Sequence, residues 1–241
     1  MLNPSLKAIY FKITSILIYT CIGMLIVSCN SKEPKVITEG TIEYEISYPE
    51  YKKKDNSFYN LLPKKMITSF KHNCYKNEFI FNNESFKLQV ISLCDEKKTK
   101  LSICAGNSKK YTELDSNSIY QLLNEFPKYT PIFQPLDSIV YLGKPCVRYK
   151  VNCSKKDTSY PIVTTKYISI HNVNWCTPFN QIEDVMLDYQ LSQYDLEMKL
   201  KAIKINNVSV DDETFILTED YEYQEIKQYL DQIEFYFMIF K

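Results

Sequence analysis

From Thr41 to Tyr48 the apolar residues Ile42, Tyr44, Ile46 and Tyr48 alternate without exception with Thr41, Glu43, Glu45 and Ser47. A period of two puts one set of side chains on each side of an extended chain, so this stretch reads as a strand with one dry and one wet face. Gly40 and Pro49 bracket it. A second stretch sets two signals against each other. Residues 196–202, Leu-Glu-Met-Lys-Leu-Lys-Ala, are written in good helix formers. Yet Tyr194, Leu196, Met198, Leu200 and Ala202 recur at every second position with charges between, which would scatter apolar groups around a helix but lines one face of a strand. Periodicity is expected to prevail. At Ala202 the alternation slips to Ile203 and Ile205, which predicts a bulge or bend.

Weaker versions of this pattern fill the chain. Strand pairs are expected over Lys65 to His72 with Cys74 to Asn82, and over Phe86 to Leu93 with Leu101 to Cys104. A third pair is Asp137 to Leu142 with Val147 to Cys153, turning at Gly143-Lys144-Pro145, and Val163 to Ile170 reads as a further strand. Two segments carry helical spacing instead. Ile119, Leu122, Leu123 and Phe126 predict a helix over Ser116 to Phe126, capped by Ser116 or Ser118 and stopped by Pro127. Ile226, Leu230, Ile233 and Phe237 predict a C-terminal amphipathic helix. The expected fold class is mainly β (α+β), a single domain over residues 40–241. Nothing after Pro49 looks like a flexible linker, and the chain holds only four glycines.

The start of the chain has a different character. Lys7 and Lys12 precede an apolar run from Ile13 to Val27 that is shorter than the roughly 18–20 residues of a membrane-spanning helix. Positive start, short greasy core and small residue are the layout of a secretory signal, here residues 1–28. Ile26-Val27-Ser28-Cys29 resembles a bacterial lipobox, and the resemblance implies a diacylated thioether and acylated amine on Cys29. Several acyl chains anchor stably, where one holds only marginally. The alternative is a plain N-terminal membrane helix with Cys29 as an ordinary thiol. Residues 29–39, with Pro34, read as a tether. The expected location is the cell envelope, as an outer-membrane lipoprotein facing the periplasm or the surface.

Charge excludes one class of partner. The 29 basic residues less Lys7 and Lys12 leave 27 against 29 acidic, alternating in sign along the chain, so no nucleic-acid footprint is present. Catalytic and metal motifs are also missing. His72 and His171 have no ligand-spaced partner for a tetrahedral site, and the chain carries neither a nucleophile elbow nor a phosphate loop. Glu183-Asp184, Asp211-Asp212 and Glu219-Asp220 read as solvated pairs. The expectation is therefore no enzyme, no metal and no cofactor. Six cysteines follow Cys29, and Cys94 with Cys104, on facing arms of one expected hairpin, form the candidate disulfide. The other reading of these two is that they stay free and pack as small apolar groups.

A family emerges from several stretches together. Gly40-Thr41-Ile42-Glu43-Tyr44, Leu62-Pro63-Lys64-Lys65-Met66, Leu142-Gly143-Lys144-Pro145-Cys146 and Lys199 to Phe215, closing on Val210-Asp211-Asp212-Glu213-Thr214-Phe215, carry it. In them the chain resembles a family of Bacteroidetes lipoproteins similar at fold level to the lipoprotein-carrier (LolA-like) superfamily. That resemblance implies a strongly curved antiparallel sheet or incomplete barrel, its hollow covered by two or so helices and sheltering an acyl chain or another greasy group. The apolar positions Tyr44, Ile46, Phe70, Phe79, Tyr149, Met198 and Leu200 are the candidate lining of such a hollow. The same alternation is equally what an ordinary packed core requires. Two functions follow: non-catalytic binding of a hydrophobic ligand by a membrane-anchored protein, or an interaction module gripping an envelope protein.

Overall fold

The alternating stretch forms strand β1 (Glu39–Ser47), with Gly40, Ile42, Tyr44 and Ile46 buried and the residues between them more exposed. The computed structural model describes residues 35–49, 57–83, 85–155, 158–193 and 196–238. Cys29, the leader and Tyr194 lie outside them. A meander follows β1: β2 (Lys65–Lys71), β3 (Cys74–Ile80), β4 (Phe86–Leu93), β5 (Lys98–Ala105) and β6 (Ser108–Leu114). Helix α1 (Ser116–Asn124) then leads to a second meander, β7 (Tyr129–Tyr141), β8 (Lys144–Cys153), β9 (Thr158–Thr165), β10 (Val185–Gln193) and β11 (Leu196–Asn206). The chain continues through a short β12 (Glu222–Tyr223) into α2 (Ile226–Met238).

All twelve strands join one mainly antiparallel sheet, in the order β12-β6-β5-β4-β3-β2-β1-β11-β10-β9-β8-β7. The two meanders meet where β1 pairs with β11. Among the described residues only β12, beside β6, runs parallel to its neighbour. The sheet is open, with β12 and β7 as its ends.

The conflict over residues 196–202 resolves as a strand. Leu196, Leu200 and Ala202 are buried. The expected bulge is present: Glu43 faces Lys204 while Tyr44 faces Ala202, so Ile203 is the extra residue. It is exposed at 42%. Gly40 sits where backbones crowd, since a β-carbon there would lie 2.2 Å from the Asn206 carbonyl oxygen.

Other expectations need correction. The cap of α1 is Asp115, whose carboxylate accepts from Ser118 N at 2.8 Å, not a serine. The turn after β7 is Leu142-Gly143, both at positive φ, rather than Gly143-Lys144-Pro145. β9 ends at Thr165, and Ile168 makes a lone parallel bridge to Ile37. β7 starts eight residues before the expected Asp137 and contains Pro131 and Pro135, which an end strand tolerates.

The Cys94–Cys104 disulfide is also overturned. The register of β4 with β5 places Lys87, not Cys94, opposite Cys104. Cys94 lies seven residues beyond Lys87, at the far end of that hairpin, roughly 24 Å along the strand at about 3.4 Å per residue, beyond the reach of a disulfide. Both thiols are free and buried.

From Val36 onward the described residues form one compact unit. Its main apolar cluster joins the buried faces of β1, β2 and β11 to the β9–β10 loop, residues 166–184. Asn174 satisfies that loop internally, donating to the carbonyls of Ile182 at 2.8 Å and Asp184 at 3.0 Å. A second cluster centres on Tyr129, stacked on Phe179 at 4.3 Å between ring centres. A third packs Tyr229 and Ile233 of α2 against Ile103.

Candidate functional site

The cross-strand pairs Tyr44↔Met66, Met66↔Phe79, Asn77↔Val90 and Val90↔Leu101 put these side chains on one face of the sheet. On this face lies a cavity of about 210 Å³. β3, β4 and β5 supply Phe79, Val90 and Leu101, and β11 supplies Met198 and Leu200. Ile119, Leu122 and Leu123 of α1 line it as well, with Cys176, Pro178 and Phe179 of the β9–β10 loop. The wall is predominantly apolar.

Few polar atoms reach this space. Asn77 is held by the Thr68 hydroxyl, which donates to its Oδ1 at 2.7 Å. The Tyr75 hydroxyl is 3.2 Å from Cys176 Sγ, and burial raises its pKa well above the ordinary value. Burial likewise raises Tyr189, a further wall residue. Thr99 is different: its Oγ1 is fully buried and finds no hydrogen-bond partner among the described residues. An unsatisfied buried hydroxyl costs about 1–3 kcal/mol, and this one is enclosed by the protein rather than open to the cavity.

The seven candidate lining residues disperse. Phe79, Met198 and Leu200 line the 210 Å³ cavity. Tyr44 lines an adjacent space of about 60 Å³, and its hydroxyl donates to the Met186 carbonyl at 2.8 Å. Phe70 and Ile46 are packed in the main apolar cluster. Tyr149 lies at a separate surface concavity with Pro131, Val147, Glu183 and Asp184. There burial, then the neighbouring Glu183 charge, raises the Asp184 carboxyl above its ordinary pKa.

Sequence reasoning missed Thr99, Tyr189 and the loop residues. β10 does carry a detectable signal, because Val185, Leu187, Tyr189 and Leu191 alternate. Residues 171–184 follow no period, so nothing local marks Phe179 as part of a wall. His72 and His171 both fall at turns, with His171 Nδ1 3.7 Å from Asp95. Among the described residues no group of three or more His, Cys, Asp or Glu side chains converges in a metal-binding arrangement.

Compared with protein-family models and with functionally characterised proteins, the sequence matches none.

Proposed function

We propose that this chain is a lipid-anchored protein of the cell envelope that binds one acyl chain or similar hydrophobic group, without catalysis, in the 210 Å³ cavity. In this reading Cys29 carries the anchor, and the sheet bends into an incomplete barrel of the lipoprotein-carrier kind with α1 and α2 over its hollow. The observation that carries the proposal is the apolar cavity itself. Its volume exceeds the about 150 Å³ of an engineered apolar cavity that stays dry and takes up benzene. It suits a short run of methylenes or a ring rather than a long chain swallowed whole. Each methylene transferred contributes about 0.8 kcal/mol.

Native mass spectrometry of the folded chain tests this: a bound hydrophobic mass is expected, lost in Val90→Trp, which fills the cavity. A fluorescent fatty acid should bind wild type and not the variant. Wild type that carries no mass and ignores the probe would refute the proposal. One observation favours a second reading, docking of an envelope protein on the sheet end: Val140, Leu142 and Val147 on and beside β7 are exposed. A protein so used would be empty of lipid, and Val140→Lys would abolish its partner binding where Val90→Trp would not.

A further inference from the structure

Ser92 of β4 is fully buried, and its hydroxyl oxygen is the meeting point of several side chains. Trp175 Nε1 donates to it at 2.9 Å. Cys94 Sγ lies 3.8 Å from it and Cys176 Sγ 3.9 Å. Two thiols separated by more than 80 positions in sequence therefore rest on one hydroxyl. Strand alternation makes the pair selective. Cys94 is two residues beyond Ser92, on the same face, and belongs to the buried cluster against which Cys176 packs. Cys74 pairs with Leu93 across β3 and β4, which puts it on the opposite face.

We infer that Cys94 and Cys176 are a disulfide site, joining the β9–β10 loop to the end of β4 when the protein meets a disulfide oxidant. The sulfurs lie 3.8 and 3.9 Å from the same oxygen, so they are at most 7.7 Å apart, the sum of the two, and that is the largest gap the bond must close. Cys176 is the half-buried member of the pair and Cys94 the fully buried one. Burial pushes the Cys94 thiol up to about 12, which assigns the first attack to Cys176. The Cys176 thiolate attacks one sulfur of the oxidant, forming a mixed disulfide and expelling one thiolate. Cys94 passes its proton to that thiolate, and its sulfur displaces the second, which takes up, through solvent, the proton Cys176 released on ionising. The products are one Sγ–Sγ bond and two reduced thiols. The bond closes a loop of roughly 80 residues, long enough to restrict the unfolded chain strongly. The inference is independent of any ligand, although Cys176 also lines the cavity.

The test is to incubate the full folded chain with oxidised glutathione, alkylate the remaining thiols, and map peptides without reduction. A peptide pair joined through Cys94 and Cys176 is expected in wild type and in Cys74→Ser, vanishing on reduction. Neither Cys94→Ser nor Cys176→Ser should yield it. The thermal midpoint of the oxidised wild type should rise by roughly 5 °C and return on reduction. Finding Cys94 joined to Cys74, or Cys94 alkylated throughout, overturns the inference.

Discussion

Two single residues show how closely the backbone and its charges are constrained. At Gly40 a methyl group would meet the Asn206 carbonyl oxygen at 2.2 Å and the Phe70 ring at 3.4 Å. Replacing glycine by alanine gains at most about 1 kcal/mol by restricting the unfolded chain, whereas a clash with fixed backbone costs about 1–3 kcal/mol. Gly40→Ala is therefore expected to lower stability by about 2 kcal/mol, read from the urea midpoint at unchanged m-value. Asp184 gives a pH dependence. Its carboxyl is raised in the folded protein, so between the ordinary carboxylate pKa and the raised value the folded state holds the extra proton. Stability is then lost as pH rises through that window, the opposite of a salt-bridged carboxylate. Asp184→Asn should raise the thermal midpoint at pH 7 and flatten the profile from pH 4 to 7. An unchanged profile would show that Asp184 is not desolvated.

Among elements, β11 carries the most information. Its residues favour a helix individually and a strand collectively, and the strand prevails because helix propensities differ by only tenths of a kcal/mol per residue, while burying one leucine contributes about 1.5–3 kcal/mol. The bulge gives a sharp contrast between neighbours. Leu200 is buried and Ile203 is the extra, exposed residue. Leu200→Ala should cost about 2–5 kcal/mol, and Ile203→Thr about 0.5 kcal/mol or less, by chemical denaturation. Equal costs would mean that the register is wrong. Of the elements whose faces alternate, β1 and β11 were the most legible in the sequence, whereas β10, with Met186 beside its alternating apolar set, was not read as a strand. β6 was not, because its buried positions Thr112 and Leu114 follow Lys109 and Lys110 and offer no apolar period. The candidate disulfide failed for a related reason: hairpin membership can be read locally, but the pairing register cannot.

For the whole molecule, the sheet order places the N-terminal β1 at its centre, between β2 and β11, while β12 and β7 form the ends. Backbone amides of β1, β2 and β11 are expected to exchange slowest with deuterium, and those of β12 and β7 among the fastest of the strands. Rapid exchange in β1 would contradict this order. Pairing β1 with β11 closes some 160 residues of chain, so refolding is expected to fall in the millisecond-to-second range of sheet proteins rich in distant contacts. By itself the sequence determined a mainly β chain, most of its strands but not β6 or β10, its two helices and the slip at Ala202. Each of these is written in the spacing of neighbouring side chains. Tertiary structure alone decided the strand order, the packing of Ile168, Ile170, Phe179 and Ile182 from the β9–β10 loop into the core, the cavity wall and the meeting of Cys94 with Cys176 on Ser92. These arise where segments far apart in the chain come together, and no local period records which distant surfaces will meet.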